Sequence, residues 1–166
     1  MGLTNWRSET ATRKISLVDK LGLDAGSSHI IFDFWNQKLL GVFGDDVEIE
    51  IGPHDTRVLS IHPALNRPQV IGNSRHITGA YSILDEKWDA TKNTLSGISQ
   101  SVPGEPYTLW FYVPKGVGVA NLGVTAKDGL KISVQSRLQD NSLMVSFEGK
   151  SEPVTWTISF AGAPTK

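Results

Sequence analysis

The chain has 166 residues, 39% hydrophobic and 20% charged, with a formal net charge of −1 and no cysteine. This is the composition of a folded globular chain, long enough for one large β domain or two small ones, and it excludes a disordered segment. Scattered Lys and Arg with near-zero net charge argue against nucleic acid or membrane as partners, the lack of cysteine excludes disulfides, thiolate catalysis and zinc–cysteine sites, and no apolar run reaches the ~20 residues of a membrane span.

From the N-terminus onward the dominant hydrophobic period is two, the period of half-buried strands. Ile30, Phe32 and Phe34 alternate with Ile31, Asp33 and Trp35. Val47, Ile49 and Ile51 alternate with Glu48 and Glu50, and Leu59 and Ile61 continue the pattern after Arg57. The segment Pro63-Ala64-Leu65-Asn66-Arg67-Pro68 breaks the alternation with two prolines and reads as a boundary between residues 1–65 and 66–166. The first part looks short of strands for an independent sandwich. Beyond the boundary, Tyr81, Leu84 and Trp88 fit either period, but the turn at Asp89 to Asn93 leading into Thr94–Ser99 favours a hairpin. Strand patterns follow at Leu109/Phe111/Val113, Ile132/Val134, Leu143/Val145/Phe147 and Val154/Trp156/Ile158/Phe160. Turn chemistry separates them at Pro114-Lys115-Gly116, Lys127-Asp128-Gly129 and Gln139-Asp140-Asn141. Short strands at this spacing predict an all-β fold of antiparallel, Greek-key β-sandwich type, with two packed sandwich modules as one arrangement.

Residues that could carry chemistry are few. Glycoside hydrolysis needs two carboxylates about 5–10 Å apart, and the conspicuous pairs, Asp45-Asp46 and Asp85-Glu86, are adjacent residues that point to opposite faces of a strand. They read as solvated surface, so no catalytic residue is assigned. His29, His54, His62 and His76 lack the i, i+4 spacing of a helical zinc site; structural roles are expected, with His54 satisfying a turn. Asp45, Asp46 and Asp55 are carboxylates that a calcium site would use, but their spacing is not diagnostic, and no cofactor or metal is assigned. The aromatic residues are more informative. Pyranose rings stack on tryptophan and tyrosine, and Trp110 and Tyr112 share the strand face opposite Leu109 and Phe111, with Trp88 as a third candidate for carbohydrate binding. Packing is the competing reading. Trp35 and Trp156 are assigned to core or domain contacts.

The first 62 residues resemble the C-terminal β-sandwich that follows the (β/α)8 barrel of α-galactosidase-type (melibiase-like) glycoside hydrolases. The resemblance runs in order through Leu3-Thr4-Asn5-Trp6, Leu21-Gly22-Leu23, Phe32-Asp33-Phe34-Trp35, Leu40-Gly41 and Pro53-His54. Asp55 departs from the glycine that often follows Pro-His in that family. A looser similarity to an additional β module of such enzymes surrounds Ser74-Arg75-His76-Ile77-Thr78 and Leu95-Ser96-Gly97. The pattern begins abruptly, so Leu3–Trp6 reads as the tail of a strand whose partners precede it in a longer parent chain. The resemblance implies a non-catalytic accessory region whose partner is the parent's catalytic barrel, with Trp6 at that interface and a secreted or periplasmic location inherited from the parent. Two other functions fit the residues: a carbohydrate-binding module with glycan as partner, and an extracellular assembly protein completed by edge pairing.

Overall fold

The computed structural model describes residues 1–77 and 79–163. Thr78, at the end of one segment of looser similarity, lies outside them. Within them the fold is all-β apart from one five-residue helix, and all the pairings between its strands are antiparallel. The chain divides into two compact units, Met1–Ala64 and Leu65–Lys166, and the division falls inside the Pro63–Pro68 segment.

The first unit contains β1 (Gly2–Thr4), β2 (Ala11–Ser16), α1 (Leu17–Leu21), β3 (His29–Asp33), β4 (Lys38–Phe43), β5 (Asp46–Ile51) and β6 (Thr56–Pro63). One sheet runs β1-β6-β3-β4, and β2 pairs with β5 in a second. The strict alternation of β5 sends Val47, Ile49 and Ile51 inward, where they meet Leu17, Ile31 and Leu59 in one core. The unit is therefore not short of strands. The alternation leaves β2 and β4 unmarked, and β2 is hard to read because Thr12, Arg13 and Lys14 are all exposed in sequence order. Among the described residues β1 pairs with β6, which follows in the chain, with Gly2 facing Val58 and Thr4 facing Thr56.

The Leu21-Gly22-Leu23 turn is the stop of α1. Ser16 caps its start, its hydroxyl accepting from the Asp19 N–H at 3.0 Å. Gly22 takes the left-handed conformation (φ 68°), and its N–H donates to Val18 O, the closure of an αL motif, while Leu23 N–H donates to Leu17 O. The helix thereby plants Leu17 fully in the core.

The second unit contains β7 (Gln69–Asn73), β8 (Ile83–Asp89), β9 (Thr94–Ser99), β10 (Pro106–Tyr112), β11 (Val117–Thr125), β12 (Lys131–Ile132), β13 (Val134–Gln139), β14 (Ser142–Glu148) and β15 (Val154–Gly162). Its sheets run β13-β14-β10-β7 and β12-β11-β15-β9-β8, so the last strand is inserted between β9 and β11. Inward residues of both, among them Leu95, Leu109, Phe111, Val145 and Trp156, form a single core. Trp156 lies edge-on to Phe111, and its indole N–H donates to Ser99 Oγ at 3.0 Å, so the polar end of a buried ring is satisfied. The β13–β14 hairpin turns on Asp140 (φ 49°) and Asn141 (φ 65°), the two positive φ angles of a type I′ turn. Ile132 and Val134, one strand by alternation, belong to different sheets: the chain crosses at Ser133, and both side chains still face the core.

Candidate functional site

The expected aromatic platform on β10 is not open. Leu109 and Phe111 enter the core as their alternation requires, which leaves Trp110 and Tyr112 on the opposite face. Trp110 sits across from Met144 on β14 and Gly72 on β7 and is only 5% exposed, so its indole offers no free face to a pyranose ring. Tyr112 is half-buried, and desolvation pushes its phenol above the ordinary value.

Trp88 lies elsewhere, and it lines a cavity. On β8 it shares a face with Glu86, their partners on β9 being Leu95 and Gly97, and Trp88 packs at the rim of the core. Phe160 packs on Trp88 with ring centroids 6.2 Å apart. Arg67, from the segment before β7, places its guanidinium carbon 5.7 Å from the Trp88 ring centroid. Asn93, in the β8–β9 turn, accepts the Phe160 N–H on its backbone carbonyl at 2.9 Å, tying that turn to β15. Between them is a half-open cleft of about 170 Å³, lined by Arg67, Pro68, Trp88, Asn93, Val117 and Phe160 among others. Arg67 donates to Pro68 O at 3.0 Å and lies 3.9 Å from a Glu86 carboxylate oxygen. Burial raises the Glu86 pKa above its ordinary value, a shift that Arg67 and a backbone hydrogen bond at Val70 only partly offset. Of the sequence candidates, only Trp88 belongs to this cavity. Arg67 and Phe160 escaped the sequence reading because one lies in an apparent linker and the other in a core pattern. No local signal places either beside Trp88.

Most of the remaining polar candidates have local partners, the exception being the buried Nδ1 of His29, which has none among the described residues. Asp45 accepts the Gly26 N–H at 2.8 Å, Asp46 pairs with Lys14 at 3.3 Å, and Asp55 accepts the Thr56 N–H at 2.7 Å. His29 is buried in β3, and His62 Nε2 is 2.8 Å from Ser60 Oγ. His54 holds φ at 50° in the β5–β6 turn, where its backbone N–H reaches Arg7 O at 3.2 Å. Among the described residues no three of His, Cys, Asp or Glu are grouped to hold a metal.

In the first unit, the motif residues converge on one end of a sheet. Both β1 and β3 run antiparallel to β6 and flank it, with Thr4 opposite Thr56 and Asp33 opposite Leu59. Their C-terminal ends, and the β5–β6 turn at Pro53-His54, therefore meet at the start of β6. Asn5, 1% exposed, divides its side-chain N–H groups among Glu9 O, Ile51 O and Gly52 O at 2.8–3.1 Å, and its Oδ1 accepts the Arg7 N–H. Asp33, also 1% exposed, accepts from Arg57 at 2.9 Å and from both the backbone and side chain of Asn36. These buried anchors hold two loops whose next aromatic residues stand in solvent: Trp6 is 82% exposed and Trp35 61%. Trp35 is thus not a core residue. The strand stops at Asp33, and the turn that Asp33 caps carries the indole outward.

In comparison with known proteins, no family model matches the chain, and no curated protein matches it.

Proposed function

We propose that the chain is a non-catalytic accessory β-sandwich region of an α-galactosidase-like glycoside hydrolase, and that its first unit packs against a (β/α)8 catalytic barrel. The observation that supports this reading is the end of the β1-β6-β3 sheet. Three of the five motif elements meet there, and they present two exposed tryptophans on loops anchored by Asn5 and Asp33. Exposed indoles on anchored loops at one end of a sheet suit burial by a partner better than they suit solvent. The purified chain should show no hydrolysis of aryl galactosides; measurable turnover would refute the reading. The chain should also co-elute in gel filtration with a separately produced barrel from an α-galactosidase-type hydrolase, and the double variant Trp6→Ser/Trp35→Ser should not.

A second reading, that the Leu65–Lys166 unit is a carbohydrate-binding module, is favoured by a separate observation, the half-open aromatic cavity at Trp88. Trp110 and Tyr112 lend it less support, because the first is buried and the second half-buried.

A further inference from the structure

The Trp88 cavity combines features that rarely meet in surface packing. It lies at one end of the second unit, where the β8–β9 turn, the start of β11, the end of β15 and the segment before β7 come together. Trp88, Phe160, Val117 and Pro68 give it apolar walls, while Asn66 and Asn93 are exposed at its rim. Among the described residues Arg67 is the one charged residue of its lining. Its guanidinium lies over the indole in a cation–π arrangement. Of its five N–H donors, one is used by Pro68 O. The Glu86 carboxylate, 3.9 Å away, offsets the charge without a hydrogen bond between the two. The cavity therefore offers directional donors without a net positive field.

We propose that this cavity binds a single neutral pyranose unit, such as the terminal sugar of a glycan, with an apolar C–H face against Trp88 and Phe160 and hydroxyls on Arg67 and Asn93. Three features select that ligand. A volume of about 170 Å³ is below the ~300–1,000 Å³ of pockets for drug-sized molecules, so it suits one ring and not an extended chain. A molecule with an apolar C–H face and hydroxylated edges matches a lining that sets aromatic rings beside the polar groups of Arg67 and Asn93. A phosphate or carboxylate would meet Arg67 already offset by Glu86, and a purely apolar ligand would bury the unused guanidinium donors at a cost. This inference rests on the reading of the second unit as a carbohydrate-binding module, and it assigns that module its site and ligand class.

The test is an amide and indole NMR titration of the full chain with the methyl pyranosides of galactose, glucose, mannose and xylose, and with galacturonate as a charged counterpart. A neutral pyranoside should give saturable millimolar shifts at the Trp88 indole N–H and at the amides of Asn93, Val117 and Phe160. Arg67→Lys keeps the charge but loses the planar fork, and should weaken binding about tenfold, a loss of ~1.4 kcal/mol. Trp88→Ala should abolish binding. Because Trp88 also packs on the core, the rim variant Arg67→Lys decides the matter if Trp88→Ala does not fold. Shifts centred on Tyr112 and leaving Trp88 untouched would overturn this site and keep the carbohydrate-binding reading. An absence of saturable shifts with every sugar would overturn both. Binding of galacturonate alone would overturn the neutral ligand, as would an Arg67→Lys variant that binds as tightly as the parent.

Discussion

Asn5 and Trp6 are neighbours in one motif with opposite roles. The Asn5 amide is buried and spans two loops, whereas the Trp6 ring touches little of its own unit. Asn5→Ala removes the side-chain hydrogen bonds to the Ile51 and Gly52 carbonyls and to the Arg7 N–H, and should cost about 1–3 kcal/mol in urea unfolding. Trp6→Ser should stay within about 0.5 kcal/mol of the parent. Glu86 gives a pH signature. Its carboxyl pKa is raised on folding, so the folded chain binds the proton more tightly than the unfolded chain. Its protonated form therefore supports stability below the ordinary value of 4.5, and that support is lost as pH rises through the folded pKa. Glu86→Gln should accordingly melt higher than the parent at pH 7, with the gap closing below about pH 4. A gap that persists at low pH would show that the carboxylate charge is not its source.

Among the elements, the strands with clean alternation were legible, and those whose environment departs from a half-buried face were not. The β5 pattern could be read directly because one face is apolar, whereas the β8–β9 hairpin was legible through its local turn chemistry, the residues of β8 fitting either period. The β2 strand was hidden because its pairing with β5 leaves charged residues in solvent. The split at Ser133 was hidden because two strands on different sheets can point into one core without breaking the period. The burial of Trp110 was equally illegible: alternation says which face a side chain takes, not whether something covers that face. Within the β8–β9 hairpin, Gly97 allows Trp156 to lie directly over the strand. A Cβ there would overlap the Trp156 ring and the Asp85 carbonyl oxygen. Gly97→Ala should therefore destabilise the second unit by about 1–3 kcal/mol or more in chemical denaturation; a neutral outcome would mean that Trp156 can move aside.

For the molecule as a whole, the balance of charge has a counterpart in the candidate site. A net charge of −1 supplies no long-range steering, and the Arg67–Glu86 pair gives the cavity none either. Recognition by this chain then depends on shape and short-range contacts, and should vary little with salt. The sandwich edges are managed in the same way. β13 lies at the end of its sheet with an almost wholly exposed, polar face that includes Arg137, a composition that discourages pairing with another chain.

The tryptophans divide along the same line as the fold. Trp6 and Trp35, both largely exposed, belong to Met1–Ala64, while Trp88, Trp110 and Trp156, all half-buried or buried, belong to Leu65–Lys166. Indole emission shifts to the red in water and to the blue in an apolar cavity. The chain thus carries a built-in optical label for each unit: red, quencher-accessible light from the first and blue, shielded light from the second, so a single emission spectrum can follow both without a dye.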